Sequence, residues 1–294
     1  MITTYRKEIT GWLLSSPYIL YSIVFFLIPL GWSLVLVFLE WNLISPTRTF
    51  VGLSNFAEAL SSERVRQAFF VTYKFMIIIV PSAIAASLIL AVIVHNLPRF
   101  KGLFAVGYFL PYLASGVTVG LIVRGVLSYN SPVNDFLRRT FGSSPDWLGT
   151  PLLATLVISG MIVWKLAGYY ALIFLAGLQG IPVELYEAAK LDGANAWTRF
   201  WHITVPMLYP PLYTVLILAV GLSFGIFTEP YVLTAGGPQG ATQTWYLEIY
   251  YQSFQAFRAG YGATIALINA VVTFISILII RHIMEGWGRH YGWE

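Results

Sequence analysis

Residues 179–206 read QGIPVELYEAAKLDGANAWTRFWHITVP, and this polar connection between two apolar segments decides how the rest of the chain is interpreted. Pro182 suits the first turn of a short helix, because a proline there loses no hydrogen bond. Leu185, Ala188 and Ala189 then fall on one face of that helix at i, i+3 and i+4. The sequence therefore predicts a short helix with one face of small and apolar residues.

A second short helix is predicted directly after the first. Gly193 is suited to end the first helix, Asn195 can cap the next through its side-chain oxygen, and Pro206 precedes the following apolar segment. The alanines would let the backbone of another protein approach closely, and charged side chains surround them. Two short helices joined at a glycine suit the docking of a partner protein, although a loop that only connects two spans would have a similar pattern.

The composition of the whole chain is that of a membrane protein. Of 294 residues, 57% are hydrophobic and only 10% are charged, and the mean hydropathy is +0.73. A soluble domain of this length cannot bury so much apolar surface, so the lipid bilayer is the predicted solvent. The net charge is +4 and the basic residues are scattered, which argues against a nucleic-acid partner.

Six apolar segments are long enough to cross a bilayer, which requires about 20 helical residues. We predict an all-α polytopic fold in which residues 1–294 form one transmembrane domain. The first helix is too long for a removable signal segment and is expected to bend near Pro29. If the N-terminus is inside, the cytosolic segments carry slightly more basic residues than the outer segments, and this excess favours a cytosolic N-terminus. The predicted spans are 12–39, 68–94, 103–127, 151–176, 207–228 and 260–280.

The segment 54–67 is predicted to be an amphipathic helix on the membrane surface. Asn55 and Glu58 resemble a helix-start pair, and Phe56 and Leu60 stand at i and i+4. Such a helix would lie flat before the second span begins.

Several kinds of site are excluded or disfavoured by the sequence. The chain has no cysteine and only four scattered histidines, which leaves no thiolate site and no convincing metal cluster. The phosphate loop G-x-x-x-x-G-K-[ST] does not occur, so ATP must bind elsewhere. Gly221–Gly225 matches the hydrolase pattern G-x-S-x-G around Ser223, but a stretch within a predicted helix lacks the strand-to-helix elbow and the neighbouring histidine that this chemistry needs.

The connection resembles the EAA loop of binding-protein-dependent ABC transporter permeases. The resemblance is carried by Glu187, Ala188, Ala189, Asp192, Gly193 and Ala194, followed by Ile203 and Pro206, with Val205 where the family has leucine. The Asp-Gly-Ala form is typical of the carbohydrate branch. Stretches resembling sugar and glycerol-phosphate permeases also occur at 50–56, 109–111, 147–149, 185–187 and 233–238.

This resemblance implies a type I ABC importer permease fold in the plasma membrane of a bacterium or archaeon. In the family the EAA loop is a coupling helix that sits in a cleft of a cytosolic ATPase, which would place both termini in the cytosol. The implied partners are a second permease subunit, two copies of the ATPase and an extracytoplasmic sugar-binding protein. ATP and Mg would be bound by the ATPase, and the chain itself would bind no cofactor and catalyse no reaction.

A sugar pathway through lipid needs aromatic faces and a few polar groups. Alignment with maltose-type permeases, counted from the EAA loop, assigns Trp164, Lys165, Leu166 and Tyr169 in the fourth span to the pathway. The same alignment assigns Leu222, Ser223 and Ile226 in the fifth span. Ile162 and Ile226 replace polar groups of the maltose-type site, which makes maltose itself a doubtful substrate.

Lys165 is the least expected residue of the fourth span, because a charged group in the membrane is costly unless it is hydrated or paired. Glu229 is its expected partner, and together they would line the pathway. Alternatively, Lys165 pairs only with the second permease subunit. Asn269 either lines the pathway or bonds between helices, and Arg124 is expected to be a snorkelling flank.

Two alternative functions remain open at this point. An ion-coupled secondary carrier is also an apolar helical bundle, but such carriers usually contain repeats and carboxylates near the midplane, and this chain offers only Glu229. The substrate of an ABC permease could also be a glycerol phosphate or a polyol, for which Lys165 is suited.

Overall fold

The computed structural model describes residues 2–44, 46–290 and 292, and this part of the chain is almost entirely helical. The helices are α1 (Ile2–Ser22), α2 (Ile28–Leu36), α3 (Ser54–Ser61), α4 (Glu63–Asn96), α5 (Lys101–Leu113), α6 (Gly116–Val126), α7 (Pro132–Phe141), α8 (Pro151–Gln179), α9 (Val183–Leu191), α10 (Ala196–Arg199), α11 (Val205–Met207), α12 (Tyr209–Phe224), α13 (Thr228–Thr234), α14 (Trp245–Tyr250) and α15 (Ala259–His290). Turns of π-helix occupy Ile23–Leu27, Phe200–Thr204 and Tyr251–Gln255. A small antiparallel pair joins β1 (Leu39–Glu40) to β2 (Thr49–Phe50), with Leu39 opposite Phe50.

The predicted all-α membrane fold is confirmed. Among the described residues, four continuous helical stretches are long and apolar enough to cross a membrane, namely Thr10–Leu36, Glu63–Asn96, Pro151–Gln179 and Ala259–Arg289. Two bent pairs of helices raise the number to six if each pair is one span. These six stretches are the ones predicted from hydropathy, although their ends differ.

The predicted third span is broken rather than continuous over 103–127. Helices α5 and α6 meet at an angle of 88°, because Ala114 and Ser115 between them adopt extended backbone conformations. The predicted fifth span also differs from its range of 207–228. It is bent by 69° before Tyr209 and ends at Phe224, so that Glu229 lies in the separate helix α13.

The first apolar stretch contains a change of helix type near Pro29, whereas the bend expected there stays a prediction. A π-helical turn at Ile23–Leu27 comes just before Pro29, which occupies the first turn of α2. The helix ends at Leu36 rather than at residue 39, because Leu39 belongs to β1.

The chain divides into two compact units. One consists of Met1–Ser62 with Ile249–Ile268, and the other of Glu63–Glu248 with Asn269–Glu294. The expectation of a single transmembrane domain over 1–294 stays a prediction.

In the first unit, the predicted surface helix 54–67 is shorter than expected. Ser62 has an extended backbone, so α3 ends at Ser61 and the following residues begin α4. Asn55 does not cap the helix: its buried amide donates to the backbone oxygens of Val37 (3.0 Å) and Leu39 (3.1 Å). The side chain therefore fixes α3 against the segment that follows α2.

The core of the second unit lies along the contact between α4 and α8. The largest side chains buried there are Phe75 and Ile79 from α4 with Tyr170 and Phe174 from α8. Helix α5 crosses α8 so closely at Gly168 that a Cβ on this residue would collide with the backbone oxygen of Tyr108. Close helix approach through a small residue is the packing expected in membranes, where no hydrophobic force drives helices together.

Many large apolar side chains lie on the outer surface of the helices. Trp12, Leu20 and Phe25 in the first span and Phe274 in the last are all mostly exposed. Exposed apolar surface of this extent would be unstable in water but is normal for helices surrounded by lipid.

Candidate coupling segment and transport pathway

Helix α9 and the residues after it form the first half of the segment singled out by the sequence. Pro182 is the N-cap of α9, and the helix ends at Leu191. Gly193 then adopts a left-handed conformation with φ of 77°. Its N–H donates to the oxygen of Lys190 (3.1 Å), and the N–H of Ala194 donates to the oxygen of Ala189 (2.8 Å). Glycine is favoured here because a side chain strains this backbone conformation.

The second half of the segment begins at Asn195. Its side-chain oxygen accepts a hydrogen bond from the backbone N–H of Thr198 (2.9 Å), which caps α10 as expected. The chain continues through the π-helical turn Phe200–Thr204 into α11, which contains Pro206. The two predicted helices and their glycine junction are thus present.

This coupling segment, Val183–Met207, presents mostly exposed side chains in its first two helices. Glu187, Ala188, Asp192 and Gly193 are exposed, whereas Ala189 and Ala194 are half-buried. Leu191 is 90% exposed and Trp197 is 70% exposed. Charged and large apolar groups exposed side by side are typical of a surface that another protein covers.

The Tyr186 hydroxyl ties the two halves of the coupling segment together. It lies 2.9 Å from the hydroxyl of Thr204, which is itself buried. This hydrogen bond joins α9 to the turn that leads into α11 and α12.

Lys165 and Glu229 form an ion pair between α8 and α13. Lys165 Nζ donates to Glu229 Oε1 at 3.0 Å, and the side chains are only 17% and 11% exposed. The partner expected from the sequence is present within the same chain. Pairing offsets part of the cost of placing two charges away from bulk water.

The break between α5 and α6 makes room for this ion pair. A Cβ added at Gly116, the first residue of α6, would lie 3.2 Å from Lys165 Nζ and 3.4 Å from Glu229 Oε1. Arg124, at the end of α6, donates to the backbone oxygen of Val232 in α13 (3.3 Å). Arg124 is therefore a link between helices as well as an exposed flank.

Tyr169 lies one helical turn after Lys165 and belongs to an aromatic group between α5 and α8. Its ring is stacked on that of Tyr112, with centroids 4.5 Å apart and planes 12° apart, and Phe109 lies at 6.5 Å. Trp164 is exposed on another face of α8. The structure thus brings Tyr169 and Lys165 to one side of the helix and separates Trp164 from them.

The surroundings of the remaining predicted pathway residues differ from one residue to the next. Leu222 is exposed, whereas Ser223 is buried and its hydroxyl donates to the backbone oxygen of Ala219 in the same helix (2.7 Å). Ser223 therefore lies within a helix and not on a nucleophile elbow. Asn269 is buried, and its Oδ1 has no hydrogen-bond partner among the described residues.

Sequence reasoning gave no role to Lys74, which anchors the turn around Gly236. Lys74 Nζ donates to the hydroxyl of Thr155 (3.1 Å) and to the backbone oxygen of Ala241 (2.8 Å). Gln67 adds a hydrogen bond to the oxygen of Gln239 (3.1 Å). A lysine in an apolar span needs a polar partner, as Lys165 does. The sequence therefore could have indicated a structural role for Lys74.

Acidic and imidazole groups do not cluster in the part of the chain that the structure describes. No set of three or more His, Asp or Glu side chains there is close enough to hold a metal ion. The chemistry of the site is that of contacts, hydrogen bonds and one intramembrane ion pair.

A comparison with protein families matches residues 50–287 to the binding-protein-dependent transport system inner membrane component. Two relatives extend the match over nearly the whole chain. The arabinooligosaccharides transport system permease protein AraP of Bacillus subtilis is 34% identical over 283 residues, covering 94% of this chain and 88% of the relative. The trehalose/maltose transport system permease protein MalF of Thermococcus litoralis is 32% identical over 276 residues, covering 93% and 92%.

A solved structure has the same fold. It is the crystal structure of a bacterial alginate ABC transporter in complex with an alginate pentasaccharide-bound periplasmic protein. One of its chains superimposes with a TM-score of 0.84 at 21% identity, covering 98% of both chains.

Proposed function

Because the chain belongs to the family of binding-protein-dependent transport system inner membrane components, we propose that it is the permease subunit of an ATP-driven sugar importer. It forms half of a translocation pathway, and a second permease subunit forms the other half. The transported substrate is a sugar, which is supported by the oligosaccharide and disaccharide names of the relatives.

The observation that carries this proposal is the geometry of the coupling segment. Two short helices meet at a left-handed Gly193, expose charged and apolar side chains, and lead directly into α12. We assign Glu187, Ala188, Ala189, Asp192, Gly193 and Ala194 to contact with a cytosolic ATPase, two copies of which bind ATP and Mg under the pair of permeases. This places the segment and both termini in the cytosol.

The mechanism is alternating access. Closure of the ATPases moves α9, and the Tyr186–Thr204 contact passes the movement to the start of α12. The bent helix pairs then change the direction in which the pathway is open, and an extracytoplasmic binding protein supplies the sugar. The permease changes conformation and the ATPase hydrolyses ATP, so this chain itself catalyses no reaction.

The substrate pathway is assigned to the neighbourhood of Lys165, Glu229 and Tyr169. The paired charges offer a donor and an acceptor to hydroxyl groups, and the stacked rings of Tyr169 and Tyr112 offer flat apolar surface to C–H groups. Trp164, Leu222, Ser223 and Asn269 stay candidates for the same pathway.

The decisive test is to purify the assembled transporter in lipid and measure ATP hydrolysis with its binding protein loaded with one compound at a time. The panel should contain arabino-oligosaccharides, trehalose, maltose, glycerol 3-phosphate and a polyol. Stimulation by a sugar is expected. Stimulation by glycerol 3-phosphate alone would retain the permease but change the substrate, whereas uptake driven by an ion gradient without ATP would contradict the proposal.

A further inference from the structure

A cavity of about 370 Å³ lies between the coupling segment and the end of α4. Its walls come from α4, α8, α9, α10 and the π-helical turn after α10. The polar side chains among them are those of His95, Asn96, Tyr186, Lys190, Arg199 and Thr204. A volume of this size is within the roughly 300–1,000 Å³ usual for small-molecule sites. The pathway proposed above does not use this cavity.

The charged side chains that line the cavity are all basic. Lys190 and Arg199 line it, and no acidic side chain is among its lining residues. Neither cation is in an ion pair or a side-chain hydrogen bond with any described residue. Two cations held at one cavity without a carboxylate repel each other, and an anion between them would remove that repulsion.

Neutral donors in the same cavity suit an anion with several oxygens. The hydroxyls of Tyr186 and Thr204 bond to each other, which uses only one of their two protons. His95 also lines the cavity, and its buried Nδ1 has no hydrogen-bond partner among the described residues. No protein group on Nδ1 therefore fixes the ring in one orientation, so the imidazole can adapt to a ligand.

We propose that this cavity is a binding site for a phosphate group, carried either by an anionic phospholipid or by a soluble phosphate ester. Arginine and lysine together with hydroxyl donors match the tetrahedral oxygens of phosphate. A bound phosphate would connect α9 and α10 to the end of α4. The site lies at the inner end of the bundle if the coupling segment is cytosolic, but its existence does not depend on that orientation.

The test uses the purified full chain and a variant that removes both cations, Lys190→Gln with Arg199→Gln. The first probe is phosphatidylglycerol, presented in phosphatidylcholine nanodiscs and counted as lipid retained per protein by native mass spectrometry. The second probe is inorganic phosphate, titrated into protein in neutral detergent while the unfolding temperature is measured. The wild-type chain is expected to bind one of them about a hundredfold more tightly than the variant, because two charge-assisted hydrogen bonds are lost.

A matched control distinguishes a specific binding site from non-specific attraction of an anionic probe to positive charge. Arg99→Gln with Arg289→Gln removes the same charge from exposed positions that do not line the cavity, and it should retain the affinity of the wild-type chain. A third variant, Lys190→Arg with Arg199→Lys, keeps both charges and should also retain binding. Circular dichroism establishes that each variant keeps its helix content.

The outcomes are distinct. Retention of phosphatidylglycerol without a response to phosphate identifies the lipid as the source, and the reverse identifies a soluble ester. Equal binding by the wild-type chain and the cavity variant overturns the proposal. So does equal loss in the cavity variant and the Arg99/Arg289 control. If neither probe binds, and the cavity variant instead weakens capture of the ATPase, the two cations belong to that protein interface and the phosphate site does not exist.

Discussion

At the scale of single residues, Gly193 is the position where a small change should have the largest functional effect. Its φ of 77° strains any L-residue with a side chain. Gly193→Val should cost about 1–3 kcal/mol in local strain and should move α9 relative to α10. We expect the transporter to assemble but sugar uptake to fall by about tenfold or more for this reason.

The chain offers a close control for that variant. Gly142 also has a φ of 77° and also has open space around the position of a Cβ, but it ends α7 and is remote in sequence from the coupling segment. Gly142→Val should therefore carry similar strain and retain uptake. Full uptake by Gly193→Val, measured with radiolabelled sugar in proteoliposomes, would remove the coupling role from this glycine.

Substitutions of Lys165 and Glu229 allow the effect of their ion pair on stability to be measured separately from its effect on transport. Lys165→Met leaves Glu229 mostly buried and without its cation, which should lower the free energy of unfolding by about 3 kcal/mol. Lys165→Met combined with Glu229→Met removes both charges and should restore most of that loss. Thermal unfolding in detergent measures both effects.

Transport by the stable double variant then decides the functional question. If the ion pair contacts substrate, the apparent affinity for sugar should fall although the protein is folded. An unchanged apparent affinity in the double variant would show that Lys165 and Glu229 only hold α8 to α13.

At the scale of elements, the crossing of α5 and α8 depends on a glycine. A Cβ at Gly168 meets the backbone oxygen of Tyr108, which cannot move aside as a side chain can, whereas a Cβ at Gly160 in the same helix meets nothing within 4 Å. Gly168→Ala should lower the free energy of unfolding by about 1–3 kcal/mol through overpacking. Gly160→Ala should leave it unchanged or slightly raise it. Comparable unfolding temperatures for the two variants would contradict the packing described here.

In the first unit, α3 is joined to the residue before α15 by an ion pair. Arg258 donates to both carboxylate oxygens of Glu58, at 2.7 and 2.6 Å. The hydrogen bond from Arg258 holds the pKa of Glu58 below its ordinary value. Because both side chains are nearly half exposed, the pair should contribute less than about 1 kcal/mol.

This pair gives stability a defined pH dependence. A carboxylate whose pKa is lowered by folding contributes its full stabilisation above the ordinary glutamate pKa, and that stabilisation is lost as the pH falls through the lowered value. The wild-type chain should therefore unfold at a higher temperature than Glu58→Gln at pH 7, and the difference should disappear in acid. Glu63→Gln, which removes only an exposed pair with Arg66, is the control. A difference that persists below both pKa values would show another cause.

At the scale of the whole molecule, the proposed coupling predicts where a partner touches the chain. Ala189→Cys introduces a thiol into a chain without cysteine. In the assembled transporter, a short bifunctional reagent should join it to the ATPase subunit, and the yield should change when ATP is added. Ser143→Cys, an exposed position in the connection after α7, should give no such product. Crosslinking of Ala189→Cys to an extracytoplasmic protein would reverse the proposed topology.

The membrane class, the six apolar stretches and the coupling segment were predictable from the sequence, because each depends on local properties. Hydropathy follows directly from composition, and proline, glycine and asparagine determine helix ends through their own backbone and side-chain chemistry. For that reason Gly193 follows the end of α9 and Asn195 caps α10 as predicted, whereas Pro182 is the N-cap of α9 and not a residue of its first turn.

The break at Ala114 and Ser115, the early end of the fifth span at Phe224 and the hydrogen bonds of Asn55 and Lys74 were decided only by the tertiary structure. An apolar segment of a given length has the same hydropathy whether it is straight or bent. The residues that pack at the break are distant in the sequence, as where Gly116 approaches Lys165 and Glu229. The arrangement of the helices likewise decides which polar groups meet inside the membrane. The partner of each such group lies on another helix and cannot be inferred from the local sequence.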